Sequence, residues 1–318
     1  MNSKNSVSII GCGISGIFAA LELKKAGIEN VQLFDKSRGV GGRLATRRAN
    51  DGKFDHGIQY IKIDSLLQRP EIRTLIDNKT LAETEEPGIF IGLDGMTNIA
   101  KFLTKDLNVK KEFKLLAINE INGSLEMNFE NNEKILTDSI ILSSPIKQSL
   151  EIIEKSNINY NKIHLESLER LEYYLAIILM IESTAPLNLD KKFYQENPEG
   201  PISFIADNFK KNVSKKQNFY TLICSPEFSA INFEKDYASI NLMLEDNLKY
   251  IFGPEYEILS NHKWKYSIPK NFYTEGDSIN IGTNNFIGLC GDIFTNGRFD
   301  GAINSGISIA TKYLKNEI

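Results

Sequence analysis

Apolar and polar positions change rhythm several times along the 318 residues. Val7–Ile10 (VSII) is a short apolar run stopped by glycine. It is too short for a helix and suits a parallel strand buried on both faces. Residues 15–26 follow with Ile17, Ala20, Leu21 and Lys24 at helical spacing and Gly27 as a stop. Residues 31–34 (VQLF) read as a second buried strand, and strand, helix and strand in this order make a βαβ unit. The period then changes to two. Residues 110–118, 125–129 and Lys134–Thr137 predict an antiparallel meander with turns at Asn122-Gly123 and Asn131-Asn132. Ser139–Leu142 (SIIL) is apolar throughout, so the chain is expected to rejoin the parallel sheet there. Residues 149–275, rich in Tyr, Phe, Asn and Lys, predict a β-rich domain with some helix. Residues 286–314 predict a strand (FIGLC), a Gly-Asp turn and a helix starting near Asp300-Gly301. Both terminal segments are expected to share one sheet. Residues 1–65, 94–148 and 276–318 then form a nucleotide-binding domain, interleaved with a substrate domain of 66–93 and 149–275.

Composition narrows the class. Hydrophobic content of 42% and charged content of 25% fit an ordinary globular protein, and a net charge of −4 argues against a general nucleic-acid binder. Cys12, Cys224 and Cys290 lie far apart, with no CxxC and no metal-type spacing with the three histidines, so buried reduced thiols are expected. No apolar run approaches the ~18 residues of a membrane span. The expectation is a cytoplasmic protein, free of membrane and nucleic acid, and monomeric.

Gly11-Cys12-Gly13-Ile14-Ser15-Gly16 is a GxGxxG between the predicted strand and helix, and Asp35 ends the second strand. That context gives the motif its weight. Gly11 permits the tight turn, Gly13 lets backbone approach a pyrophosphate, and Gly16 packs helix on strand. The helix N-terminus offers amides and partial positive charge, and Asp35 offers acceptors for ribose hydroxyls. NAD and FAD sites share this pattern. The stretch FDKSRGVGGRLATRR (34–48) adds a second glycine-rich turn, with Gly42 followed by Arg43. Two turns with amides, one on each side of a pyrophosphate, suit a long extended cofactor; the alternative is a loop with solvated arginines.

These residues, followed by Phe54-Asp55-His56-Gly57-Ile58-Gln59-Tyr60, resemble the flavoprotein amine-oxidase superfamily, and more narrowly the bacterial renalase-like FAD-dependent oxidoreductases. The similarity returns at Asp94-Gly95-Met96, Ser143-Ser144-Pro145 and Lys263-Trp264-Lys265-Tyr266. It is strongest again at Cys290-Gly291-Asp292-Ile293-Phe294 and Phe299-Asp300-Gly301-Ala302-Ile303. The resemblance implies an α/β fold of p-hydroxybenzoate-hydroxylase type: a Rossmann-like domain binding FAD non-covalently, interleaved with a β-rich substrate domain. It implies Ser15 at the pyrophosphate, Asp35 at the ribose, Arg43 at the pyrophosphate or flavin, and Gln59 and Tyr60 at the isoalloxazine. It places Gly291-Asp292 at the ribityl or phosphate end, and aims the Gly301–Ile303 turn, including Ala302, at the N1–C2 carbonyl edge. A helix N-terminus there stabilises the charge of a reduced flavin. Lys36 is counted with the cofactor-binding residues, and it, Arg47 and Arg48 are otherwise solvated neighbours or the site of a second, phosphate-bearing ligand.

One GxGxxG and no CxxC leave a single flavin that takes electrons from a substrate and passes them on. Resemblance to renalase implies the 2- or 6-dihydro isomers of NAD(P)H as substrate, with NAD(P)+ and hydrogen peroxide as products. No side chain is assigned a catalytic role, because a dihydropyridine regains aromaticity on losing hydride and needs little acid–base help. Tyr60, Trp264 and Tyr266 are candidates for the pocket wall. An amine or other small-molecule oxidase and a non-catalytic flavin-binding protein are the competing readings.

Overall fold

The computed structural model describes residues 6–197 and 200–315. Its six-stranded sheet runs, edge to edge, Ile279–Asn280, Ile287–Leu289, Ser139–Leu142, Val7–Ile10 (β1), Val31–Asp35 (β2) and Asn108–Lys111. All neighbours are parallel except the first pair. The two terminal segments do share this sheet.

Alternation across the pleat explains the apolar runs. Val7, Ile9, Val31, Leu33 and Ile141 point to a core built with helix Ile14–Lys25 (α1) and the terminal helix Phe299–Leu314. Ile10, Phe34, Ile140 and Leu142 point the other way, onto a three-stranded meander of Leu115–Ile121, Ser124–Phe129 and Lys134–Thr137. Helices lie on one face and the meander on the other, so β1 sees no water on either side. One expected strand divides. Residues 110–118 are not one strand: Asn108–Lys111 pairs with β2, the chain turns at Glu112 with φ +62°, and Leu115 begins the meander.

The region 149–275 carries a five-stranded antiparallel sheet. Its order is Tyr194–Glu196, Ile202–Asp207, Phe219–Cys224, Ala176–Ser183 and Tyr256–Trp264. Helix Tyr237–Phe252 covers one face with Ile240, Leu244, Leu248 and Phe252, a stripe four residues apart. Its start is capped by Asp236, which accepts the Ser239 N–H at 2.9 Å. The opposite face meets the hairpin of Thr46–Ala49 and Gly52–Asp55 through Phe54, Met180 and Phe219. This hairpin is one of the places where residues 149–275 meet the rest of the chain; Leu171 and Tyr173 beside the parallel sheet are another.

Candidate cofactor and active site

α1 starts at Gly13 with no side-chain cap among the described residues, leaving its N-terminal amides available to an anion. Gly16 sits where a β-carbon would collide with the Gly11 carbonyl oxygen and the Ser143 hydroxyl, so helix and loop touch only because it has none. The second glycine turn closes over the first: Gly41 N–H donates to the Cys12 carbonyl at 2.7 Å. A β-carbon on Gly13 would meet open space, and one on Gly42 would come within 3.5 Å of the Gly13 α-carbon. The two turns therefore face each other with room that side chains would fill. Ser15 is buried in the first turn of α1.

Asp35 lies at the end of β2, with Oδ2 accepting the Cys12 N–H and Oδ1 the Ser37 N–H, each at 2.8 Å. Lys36 is exposed and donates to Gln148 Oε1 at 3.1 Å. Arg43 and Asp292 stand far apart in sequence but form a two-pronged pair. Nη1 reaches Oδ2 at 2.8 Å, Nη2 reaches Oδ1 at 2.5 Å, and Nη1 also donates to the Ser267 carbonyl at 2.8 Å. Burial works to lower the guanidinium pKa, and Asp292 more than offsets it, so Arg43 is held above its ordinary value. Gly291 takes φ +157°, a conformation that favours glycine, with open space at its β-position.

The terminal helix begins at Phe299 with no side-chain cap on it. Ala302 N–H donates to the Arg298 carbonyl at 2.9 Å, and Ile303 is fully buried in the core. The Ala302 amide is thus spent inside the helix, whereas the amides of Phe299, Asp300 and Gly301 before it have no acceptor within the helix.

The three aromatic pocket candidates fall in three different clusters. Tyr60 packs against Tyr194 at 5.4 Å and Phe204 at 6.4 Å between ring centres, with its hydroxyl 3.5 Å from Glu196 Oε1. Tyr266 packs edge-on to Tyr173 at 5.4 Å. Trp264 donates from Nε1 to the His56 carbonyl at 2.7 Å, and its ring stacks on His56 and meets the edge of His262 at 4.6 Å.

Both histidines are kept neutral. Burial first, then His262 and Arg47, push the His56 imidazole down to about 3; burial and Arg47 push His262 down to about 4. Among the described residues His56 Nδ1 has no hydrogen-bond partner, although it is buried. Arg47 donates to Ser260 Oγ at 3.1 Å and faces His262 Nδ1 at 3.5 Å rather than a carboxylate. Sequence reasoning had no role for His262, although it stands two residues before Trp264 and its side chain shares the same strand face.

Residues 9–76 match the model of the NAD(P)-binding Rossmann-like domain. Mouse renalase (Mus musculus) is 22% identical over 340 residues, spanning 98% of this chain and 99% of that protein. A CLA-producing fatty acid isomerase from P. acnes superposes with a TM-score of 0.72 at 11% identity, covering 98% of this chain and 99% of its own. A putrescine oxidase bound to putrescine gives 0.71 at 12% identity, again covering 98% and 99%. The chain takes the fold that these two structures share. An isomerase and an oxidase share that fold, so chemistry must be argued from the site. No helix among the described residues is long and apolar enough to cross a membrane.

Proposed function

We propose that this protein binds FAD non-covalently and oxidises 2- or 6-dihydro isomers of NAD(P)H. The balance is dihydro isomer, a proton and O2 giving NAD(P)+ and H2O2. One observation carries the cofactor half: the Gly13 and Gly42 turns face each other beside the uncapped start of α1, a cradle that fits a pyrophosphate. Gly11, Gly13, Ser15 and Gly16 hold it from one side and Gly42 and Arg43 from the other, with Asp35 toward the ribose. Gly291 and Asp292 take the ribityl end, and residues 57–60 and the amides of Phe299–Gly301 border the ring. Bound FAD supplies two-electron acceptance, which no side chain here provides. Cys290 is fully buried and burial pushes its thiol pKa up, which disfavours the thiolate that covalent attachment requires. The same reading takes residues 1–65, 94–148 and 276–318 as the cofactor domain of a monomer.

The full-length likeness to renalase supports the substrate half. Arg47 beside two neutral imidazoles, with no carboxylate paired to it among the described residues, puts positive charge next to Trp264, which suits an anionic nucleotide and disfavours an ammonium group. A second reading, oxidation of an amine, is favoured by the acids around Tyr60. Tyr194 donates to Glu86 Oε2 at 3.1 Å and Glu196 lies at the Tyr60 hydroxyl, so these rings carry an acidic rim.

Air-free mixing separates the two. The dihydro isomers should bleach the flavin absorbance rapidly and yield NAD(P)+, with ordinary 4-dihydro-NADH and amines far slower. Fast bleaching by an amine and none by the isomers would reverse the choice, and a protein that cannot be reconstituted with FAD would end both.

A further inference from the structure

Lys211 and Asp55 are both fully buried, sealed between the hairpin and the five-stranded sheet. Lys211 Nζ donates to Asp55 Oδ2 and to Gln59 Oε1, each at 2.9 Å. The Gln59 amide in turn donates to the carbonyls of Asp55 at 2.7 Å and Gly57 at 3.0 Å. Asp55 Oδ1 accepts the Thr46 hydroxyl at 2.6 Å and the Met96 N–H at 2.9 Å. Both carboxylate oxygens and the whole Gln59 amide are engaged.

The lysine is presented by a stiff turn. Asp207 Oδ1 accepts the Phe209 and Lys210 amides at 2.9 and 3.0 Å, and Asp94 N–H donates to the Asn212 carbonyl at 3.0 Å. Stability gives little reason for a charge here, since a buried ion pair rarely improves on apolar side chains of equal volume. What the ammonium adds is direction, because it fixes which way Gln59 Oε1 points.

The segment it fixes has no slack. A β-carbon on Gly57 would collide with the Arg43 carbonyl oxygen, and Ile58 N–H donates to that same oxygen at 2.9 Å. Arg43 follows Gly42 in the turn that faces Gly13, so a shift at Gln59 passes through Gly57 to the cofactor cradle.

We propose that Lys211 is a positioning residue for the cofactor: through Gln59 it fixes residues 57–60 against the second glycine turn, so that a lysine delivered by the substrate-side sheet decides how the flavin seats. This rests on the FAD reading of the cleft.

The test compares wild type, Lys211→Met and Lys211→Met/Asp55→Asn. The single variant leaves a buried carboxylate unpaired and loses thermal stability; the double variant removes both charges and recovers most of the lost Tm. In that recovered double variant, FAD should bind about tenfold more weakly, one charge-assisted hydrogen bond's effect, with a shifted absorption envelope. Without FAD, amide exchange at residues 57–60 should be faster than in wild type while β1 is unchanged. Recovery of Tm, affinity, spectrum and exchange together would reduce Lys211 to charge balance and overturn the proposal. So would a Lys211→Met variant with wild-type values, or a double variant as unstable as the single one. If wild type bound no FAD, the cofactor reading would fall, and exchange in the FAD-free proteins would still decide whether Lys211 holds residues 57–60.

Discussion

Two cation–carboxylate pairs join distant parts of this chain in opposite surroundings. The Arg43 side chain keeps 28% of its surface exposed while pairing with Asp292, at the edge of the cleft. Lys211 and Asp55 have 0% exposure on both sides. In the open pair a ligand anion or water can stand in for a lost partner. In the sealed pair nothing can, and a remaining charge has no way to be solvated. The same chemistry therefore tunes affinity in one region and sets the integrity of the fold in the other.

The largest effect is expected at the sealed pair. Lys211→Ala should cost about 3–5 kcal/mol of unfolding free energy, read by urea denaturation. A loss below about 1 kcal/mol, the range of an exposed pair, would erase the contrast. At the open cleft, Asp35→Ala should weaken FAD binding by roughly 1.5–3 kcal/mol with the fold intact. Part of that loss would come from freeing the Cys12 and Ser37 amides that Asp35 now orders. Unchanged FAD content would show that the ribose lies elsewhere.

The histidines beside Trp264 sharpen the contrast, because there burial and the Arg47 cation keep both imidazoles uncharged. Both pKa values are depressed, so the unfolded chain takes up protons first as pH falls below its ordinary value. Stability should drop from about pH 6.5 until the folded-state values of about 3 and about 4 are reached. For His56 the loss is roughly 2 kcal/mol by pH 5. Thermal unfolding at pH 7 and pH 5 measures it, and His56→Gln should shrink the difference; an equal drop in that variant would assign the effect to other groups. The smallest effect belongs to the solvent-exposed pair of Lys216 and Asp51. Lys216→Ala should leave Tm unchanged, and a clear fall would mean that exposure is a poor guide to these pairs.

The parallel sheet was legible because local signals and tertiary demand agree there. Short apolar runs at Val7–Ile10 and Ser139–Leu142 are bounded by glycine or Pro145 and buried on both faces. Residues 110–118 misled because no glycine or proline marks the break at Glu112, whose positive φ ends one strand and redirects the chain into another sheet. The glycine cradle could be read because backbone approach demands glycine at fixed spacing. The Arg43–Asp292 pair could not, since no periodicity links residues so far apart. Lys211 was least legible of all. It stands in Phe209-Lys210-Lys211-Asn212-Val213-Ser214-Lys215-Lys216, a run that looks solvated, yet it is the buried lysine. Composition reports the average environment of such a run and hides its exception.

The strand order also sets a timetable. β1, with β2 on its other side, can pair with Ser139–Leu142 soon after those residues are made, but Ile287–Leu289, Asp292 and the terminal helix come much later in the chain. At ordinary synthesis speeds the interval is roughly 7–30 s. During it the helix-side core of β1 lacks Phe299, Ile303 and Ile309, and Arg43 lacks its carboxylate. A nascent chain stalled within residues 149–275 therefore exposes a greasy half-sheet, which is the form a chaperone would meet.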